Sequence, residues 1–243
     1  MNLHAASGIS LCLTAGGRPD LLDRTLTTLL SHNKIFFSDF LITNDAGDEE
    51  TNRIVLKHLP DAKLICHPKQ HGHHASIDEM YDQVLTPYIF HCEDDWEFDP
   101  IAFVPRCLEI LTRDDILSQV AVRQSSCFDR SKVVFENQIV VETAALSYLK
   151  YKRLLQKDWG HFTFNPSLLR KELWVRVGPF KKYFNERDIN DKVRSLGLTT
   201  GRVVPGVCWH IGDERHIKDT VRKRDTRAKL RRTYRKLLKL VST

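Results

Sequence analysis

The sequence predicts an α/β fold in which a mostly parallel β-sheet is flanked by helices and followed by a basic helical tail. Short apolar strands alternate with amphipathic helices four times over residues 1–100, which is the pattern of a parallel sheet covered by helices. The charge is also uneven. Residues 217–243 contain eleven Lys and Arg and two Asp, a net +9, whereas the whole chain carries +6. The remainder is therefore mildly acidic and the tail strongly basic.

The elements of the first half follow from apolar periodicity and from the residues that end each run. Compact apolar runs predict strands at 8–14, 40–43, 63–66 and 88–92. Apolar residues at helical spacing predict helices around 21–30, 54–59 and 77–84, the first opened by Pro19. No apolar run approaches the roughly 18 residues that a membrane span needs.

The second half is less regular. Strands are predicted at 120–122, 132–135, 139–141 and 162–164, helices at 166–177 and 188–196, and an extended segment at 203–210. We expect one domain over residues 1–216, with two unequal halves at about 1–100 and 101–216. An amphipathic basic helix is expected over 217–243, where Leu230, Tyr234, Leu237, Leu238 and Val241 recur at helical spacing.

Ligands of parallel α/β sheets bind outside the carboxyl ends of the strands. The polar residues that follow the predicted strands are therefore the first candidates for a site. They are Thr14 to Arg18, Asn44 and Asp45, 67–71, and Glu93 to Asp95. If the alternation is right, these four segments meet at one edge of the sheet.

Glu93, Asp94 and Asp95 form the most informative cluster, because an apolar run ends in three adjacent carboxylates. Adjacent acids repel one another and lose hydration when buried, and a divalent cation removes both costs. On an extended chain Glu93 and Asp95 would face one way and Asp94 the other. One pair of same-side carboxylates suits Mg²⁺ or Mn²⁺ holding a diphosphate, whereas the alternative is a solvated acidic loop.

Four motifs in order resemble the GT-A glycosyltransferases, most closely the large family 2-like group, over about residues 8–212. The first is the opening strand with Thr14 and Arg18-Pro19, and the second is the run 41–48, in which a strand ends at Asp45. The third is Glu93-Asp94-Asp95, at the position of the family's DxD metal motif. The fourth is the segment 178–188 followed by Gly197. The resemblance implies a Rossmann-like GT-A sheet, with a nucleotide-binding half before residue 100 and an acceptor half after it.

The resemblance also implies roles for individual residues. Glu93, Asp95 and His210 would hold Mn²⁺ or Mg²⁺, although the family usually has Asp where this chain has Glu93. Glu186 would be the catalytic base. Asp188 is the alternative, because a small shift in the alignment with the family motif would exchange the two roles. The nucleotide sugar would be bound by Thr14, Arg18, Asn44, Asp45, Lys69, His71 and Asp94. Trp159 and His161 would lie on the acceptor side.

The expected activity is metal-dependent, inverting transfer of a sugar from a nucleotide-sugar donor to a glycan or a lipid-linked saccharide. Two alternatives remain open at this point: a sugar-nucleotide pyrophosphorylase, and a non-catalytic membrane-binding module. We expect a cytoplasmic protein that reaches an anionic membrane surface through 217–243. Nucleic-acid binding is not expected, because no nucleic-acid motif accompanies the basic charge.

Overall fold

A computed structural model of the protein describes residues 8–124, 126, 138–143, 146–151, 160–215, 217, 220 and 221. These residues form eleven β-strands and six α-helices. The strands are β1 (Ile9–Ala15), β2 (Asp39–Asn44), β3 (Lys63–Cys66), β4 (Tyr88–Glu93), β5 (Trp96–Phe98), β6 (Leu117–Ala121), β7 (Gln138–Thr143), β8 (Leu146–Tyr151), β9 (Ser167–Arg170), β10 (Thr199–Val203) and β11 (Cys208–His210). The helices are α1 (Pro19–Asn33), α2 (Glu49–His58), α3 (His73–Asp82), α4 (Val104–Arg113), α5 (Lys171–Val177) and α6 (Glu186–Ser195).

Nine of these strands form one sheet, in the order β3-β2-β1-β4-β9-β6-β10-β8-β7. The first four strands in this order are mutually parallel, as strands joined by crossover helices must be. β9 runs antiparallel to both β4 and β6, and the far edge is a hairpin of β7 and β8. The predicted fold class is therefore confirmed, with the parallel pairing concentrated in the half that carries the first four strands.

Both faces of the sheet are buried at its central strands β1 and β4, which explains the continuous apolar runs of these strands. Along β1, Leu11 and Leu13 join one core, whereas the intervening Cys12 joins the other. Leu22, Leu26 and Leu29 of α1 cover the first face, and Ile77 of α3 packs on the second. The apolar residues that recur at helical spacing in the sequence are thus the ones that cover the sheet.

Two predicted elements of the second half are wrong. Residues 166–177 do not form one helix, because Ser167–Arg170 is strand β9 and only Lys171–Val177 is helical. β9 fills the space between β4 and β6, and pairing on both sides outweighs its local helical pattern. Residues 162–164 are not a strand. The predicted strand 132–135 lies outside the described residues.

A second, two-stranded sheet of β5 and β11 brings a distant segment back to the end of β4. β11 pairs antiparallel with β5, which places His210 opposite Trp96. His210 is thereby held next to the acidic cluster, more than a hundred positions away in sequence.

Within the described residues, no helix is long and apolar enough to cross a membrane. Of the predicted basic helix 217–243, only Ile217, Thr220 and Val221 are described. The helix and its membrane contact therefore remain predictions, as do the domain boundaries.

Asn190 of α6 ties the second half together, and its removal should destabilise the fold. Its buried Oδ1 accepts hydrogen bonds from the backbone N–H groups of Gly160, His161 and Phe162 at 3.2, 2.9 and 3.2 Å. Because each buried unpaired donor costs about 1–3 kcal/mol, Asn190→Ala should lower the free energy of unfolding by about 3 kcal/mol or more. Urea unfolding followed by circular dichroism measures this. Asp191→Ala, at a half-exposed position of the same helix, is the control; equal small losses in both variants would contradict the account.

Candidate active site

A cleft of about 950 Å³ opens where β1, β2 and β4 end at their carboxyl termini. Eight of the residues predicted for the site line this cleft: Thr14, Arg18, Asp45, His71, Glu93, Asp94, Asp95 and His210. Asn44, Lys69, Glu186, Asp188 and His161 are not part of its lining. The predicted alternation of strands and helices therefore does bring the strand ends together at one edge of the sheet.

Arg18 and the two aspartates form the centre of the cleft. Arg18 is the last residue before α1, since Pro19 opens that helix and fixes where its side chain emerges. Its guanidinium donates to Asp95 Oδ2 at 2.6 Å and to Asp94 Oδ1. Asp94 Oδ2 also accepts from the backbone N–H of Gly16 at 2.8 Å. One guanidinium thus neutralises part of the charge of two carboxylates that are 1% and 5% exposed.

The predicted alternation of the three acids is wrong at Asp94. β4 ends at Glu93, and the chain bends at the next two residues, so Asp94 and Asp95 both turn toward Arg18. Alternation holds only while the backbone stays extended. Asp94 therefore helps to hold Arg18 instead of facing away.

His210 completes this centre from β11. Its Nε2 lies 2.9 Å from Asp95 Oδ2, and its Nδ1 lies 2.5 Å from Asp213 Oδ1. Its ring packs against Trp96 with centroids 5.0 Å apart. Gly212 allows this approach, because a Cβ there would come within 2.7 Å of the Asp95 Cβ.

The electrostatics of the centre are those of a site with too much buried negative charge. Burial opposes the ionisation of Asp95, but hydrogen bonds from His210 and Arg18 outweigh it and lower the pKa of Asp95. Burial raises the pKa of Asp94 despite its contact with Arg18. Burial, and then the charges of Asp95 and Glu186, raise the pKa of Glu93 to about 8. The bond to Asp95 raises the pKa of His210.

Two buried atoms of this centre, Arg18 Nε and Asp95 Oδ1, make no hydrogen bond. Asp95 Oδ1 is buried without a hydrogen bond, although Oδ2 of the same carboxylate bonds both Arg18 and His210. A buried unpaired carboxylate oxygen is costly, and a cation would satisfy it. Carboxylate oxygen and imidazole nitrogen together suit Mn²⁺. The residues present therefore fit a divalent cation at Asp95 and His210.

Glu93 lies beside this centre but is engaged elsewhere. Its Oε2 accepts from Trp96 Nε1 at 3.3 Å, and its Oε1 is 3.5 Å from His73 Nε2. Among the described residues, Glu93, Asp95 and His210 are not a group whose ligand atoms all lie within 4.8 Å of one another. Glu93, the predicted companion ligand, is thus held apart from Asp95 and His210 in the structure.

Asp45 builds the opposite wall of the cleft. Its Oδ1 accepts from the backbone N–H of His71 at 2.6 Å and from Ser76 Oγ at 2.9 Å, and its Oδ2 accepts from the N–H of Gly72 at 3.1 Å. Both oxygens are thus used to hold the loop before α3 and the first turn of that helix. Asp45 lines the cleft and shapes it at the same time.

Two residues that were predicted to bind the nucleotide sugar are placed differently. Asn44 is fully buried, and its Nδ2 donates to Asp48 O and Asn52 Oδ1, both at 2.8 Å, so its amide organises the turn behind the cleft. Lys69 is exposed and is not part of the lining. A strand-end position identified the loop, but only the turn geometry decided which side chains face inward.

Glu186 and Asp188 begin α6, where the Asn185 side chain caps the helix by accepting from the N–H of Asp188. Glu186 is partly buried, and its Oε1 accepts from the backbone N–H of Phe164 at 3.3 Å. Burial raises the pKa of Glu186 to about 7. Its charge acts on Glu93, so it lies near the acidic centre, whereas Asp188 is exposed.

Of the two predicted acceptor-side residues, His161 is not part of the cleft lining. His161 is 2% exposed and its Nδ1 bonds the carbonyl of Leu198 at 2.7 Å, so it is a buried structural residue of the second half of the chain instead. A histidine beside an aromatic is as typical of a buried structural position as of a binding site. Trp159 lies outside the described residues.

The sequence reasoning missed several residues that line the cleft. They are Ala75, Ser76, Lys181 to Phe184, Ile217 and Val221, whereas Gly16 and Gln70 lie inside the predicted segments 14–18 and 67–71. The run 181–184 lies inside the motif 178–188, so that motif was a signal that could have identified these residues. Ile217 and Val221 carried no local signal, because only the return of the chain over Gly16 places them there.

Comparison with known proteins identifies this architecture. The model of the family described as Glycosyl transferase family 2 matches residues 10–177, from β1 to the end of α5. No curated protein was similar enough to match. The solved structures include one described as the crystal structure of GalNAc-T7 with UDP, GalNAc and Mn²⁺, at a TM-score of 0.59 and 8% identity. The match covers 83% of this chain but 42% of that one, so the chain spans less than half of its length. At this identity the likeness shows the fold alone.

The charge of Glu93 predicts how stability depends on pH in the presence of a chelator. Because folding raises its pKa from 4.5 to about 8, ionised Glu93 destabilises the folded state increasingly as pH rises through that window. Glu93→Gln removes this cost. We expect its melting temperature to equal that of wild type at pH 4 and to exceed it progressively up to pH 8 in thermal unfolding scans. Glu172→Gln, at an exposed position, is the control, and a pH-independent gain for Glu93→Gln would contradict the assignment.

Proposed function

The chain belongs to glycosyl transferase family 2, and from this we propose that it transfers a sugar from a nucleotide-sugar donor to a saccharide acceptor in a metal-dependent, inverting reaction. The observation that carries the proposal is the position of Asp95 and His210. A buried carboxylate with an unpaired oxygen and an imidazole meet at the end of β4 and face a cleft of about 950 Å³. That volume suits a nucleotide-sized ligand.

We assign the divalent cation to Asp95 and His210, with Glu93, whose oxygens face Trp96 and His73, as a companion through a bridging water. Mn²⁺ fits better than Mg²⁺ because imidazole is a ligand that suits the transition metals. The GalNAc-T7 structure contains Mn²⁺ with UDP, which supports this choice. When bound, the metal supplies positive charge that stabilises the leaving diphosphate. Arg18 holds Asp94 and Asp95 in place and adds a fixed positive charge at the same edge of the cleft.

We assign the catalytic base to Glu186. In an inverting transfer, the acceptor hydroxyl loses its proton as its oxygen bonds the anomeric carbon and the bond to the diphosphate oxygen breaks. Burial brings the pKa of Glu186 to about 7, near the pH at which a base must be ionised and still accept a proton. Its position beside Glu93 supports this role over that of exposed Asp188.

Thr14, Asp45 and His71 line the side of the cleft where we place the nucleotide. The acceptor is a glycan or a lipid-linked saccharide, approaching from the side of Lys181 to Phe184, where aromatic and basic groups line the opening. Family membership favours this transferase over a sugar-nucleotide pyrophosphorylase. A cytoplasmic location with an anionic membrane contact through residues 217–243 is part of the same proposal, since a lipid-linked acceptor lies at such a surface.

Asp95→Asn tests the metal assignment. The variant keeps the shape of Asp95 and loses its charge, so nucleoside diphosphate release from a panel of nucleotide sugars with Mn²⁺ should fall about 100-fold or more. Mn²⁺ plus a nucleoside diphosphate should also stop raising its melting temperature. Asp61→Asn, at an exposed position, is the matched control. Undiminished turnover of Asp95→Asn in chelator would remove the metal from the mechanism.

Glu186→Gln tests the base. We expect a loss of about 10²–10⁴-fold in kcat with little change in donor affinity, because general base catalysis contributes that much. In the wild-type enzyme kcat should rise with pH up to about 7 and then level, since only ionised Glu186 accepts a proton. Steady-state kinetics across pH 5–9 measures both.

Asp188→Asn is the control for this experiment, since Asp188 lies two residues along the same helix and is exposed. It should retain near wild-type kcat and the same pH profile. A large kcat loss in Asp188→Asn with a normal Glu186→Gln enzyme would transfer the role of base to Asp188.

A further inference from the structure

We propose a second metal site, for Zn²⁺ or a similar transition-metal ion, formed by His67, His71 and Glu79 at the outer edge of the cleft. It is separate from the proposed catalytic centre at Asp95 and His210. Among the described residues, these three are the group whose ligand atoms all lie within 4.8 Å of one another. Two imidazoles and one carboxylate are a ligand set that Zn²⁺ takes in proteins.

The three side chains converge on one point. His67 Nε2 lies 2.8 Å from Glu79 Oε2, and His71 Nε2 lies 3.8 Å from the same oxygen. The two imidazole rings stack, with centroids 4.6 Å apart and planes at 16°, and the Nε2 atoms of both lie near the same Glu79 oxygen. A tetrahedral ion with ligands about 2.0–2.1 Å away places ligand atoms about 3.3 Å apart, and the two observed separations bracket that value.

The position of His67 is fixed by its surroundings. Its backbone N–H donates to the carbonyl of Asn44 at 3.1 Å, which sets it at the end of β3. Its Nδ1 is buried, has no hydrogen bond, and lies 3.6 Å from Asp45 Oδ1. A carboxylate on this side favours a proton on Nδ1, and the lone pair of Nε2 then faces Glu79. Carboxylates behind histidine ligands orient them in the same way in known metal sites.

Three elements would be joined by an ion bound here. His67 directly follows β3, His71 belongs to the loop that lines the cleft, and Glu79 lies on α3. Asp45 already holds this loop through the N–H groups of His71 and Gly72. The ion would fasten the same loop from its outer side, and the wall of the cleft beside Gln70 and His71 would become rigid. His71 and Glu79 are about half exposed, which leaves an entry path and a position for water.

The composition of the site selects the ion. Imidazole nitrogen favours Zn²⁺ over Mg²⁺, and the order of affinities of divalent metals places Zn²⁺ well above Mn²⁺. This site offers two imidazoles and the proposed catalytic centre offers one, so the preference for Zn²⁺ is stronger here.

Calorimetric titration of the full chain with ZnCl₂ alone tests the site. The Asp95→Asn, His210→Gln double variant serves as the parent, so that the catalytic centre does not bind the ion. We expect the parent to bind one Zn²⁺, and the further change Glu79→Gln or His67→Gln to weaken that binding about 100-fold, because each removes one of three ligands. His32→Gln, on the exposed side of α1, is the matched control and should leave the affinity unchanged.

Trypsin cleavage after exposed Lys69 reports the fastening of the loop. Zn²⁺ should slow this cleavage several-fold in the parent and leave it unchanged when Glu79→Gln is present, with circular dichroism confirming that both proteins are folded. Absence of Zn²⁺ binding in the parent would overturn the proposal. Zn²⁺ binding that Glu79→Gln and His67→Gln leave unchanged would also overturn it, whether or not the catalytic predictions hold.

Discussion

The contact of Arg18 with Asp94 and Asp95 is the interaction on which the arrangement of the site depends. The two carboxylates are almost fully buried at the end of β4, and Arg18 shares one guanidinium between them. Breaking a buried ion pair from one side leaves an uncompensated charge, at a cost of about 3–5 kcal/mol. The start of α1 and the end of β4 are therefore held in one relative position, which is the edge of the cleft.

The remaining parts of the site follow from that centre. His210 can reach Asp95 because β11 pairs with β5 directly after the acids, and Gly212 leaves room for the carboxylate. The pKa of Glu93 is raised to about 8, since Asp95 and Glu186 add negative charge around a buried carboxyl group. The centre is thus stable as a fold but short of positive charge, which is the condition in which a cation contributes most. Asp45 performs the corresponding structural task on the opposite wall, where it holds the loop through backbone N–H groups.

Much of the first half could be predicted from the sequence because its signals are local. The apolar run of β4, the leucines of α1 and the helix opened by Pro19 each identify an element without knowledge of the others. The second half was harder. Ser167–Arg170 forms a strand because it pairs with the edges of both β4 and β6. The need to pair those edges cannot be recognised from the four residues themselves. The same limit applied to His161, which bonds the backbone carbonyl of Leu198, and to Asn44, which bonds Asp48 O and Asn52 Oδ1, since only the folded chain brings these groups together.

The sequence by itself determined the class of sheet, the family resemblance and the acids, arginine and histidine that meet at the cleft, since each is a local pattern or an ordered set of motifs. Only the tertiary structure decided how these residues act on one another. The bend after Glu93 turned Asp94 and Asp95 to the same side, and the pairing of β5 with β11 brought His210 to Asp95. The convergence of His67, His71 and Glu79 likewise depends on where a loop meets a helix. Contacts between residues distant along the chain depend on backbone direction, and backbone direction is set by the pairing of the whole sheet.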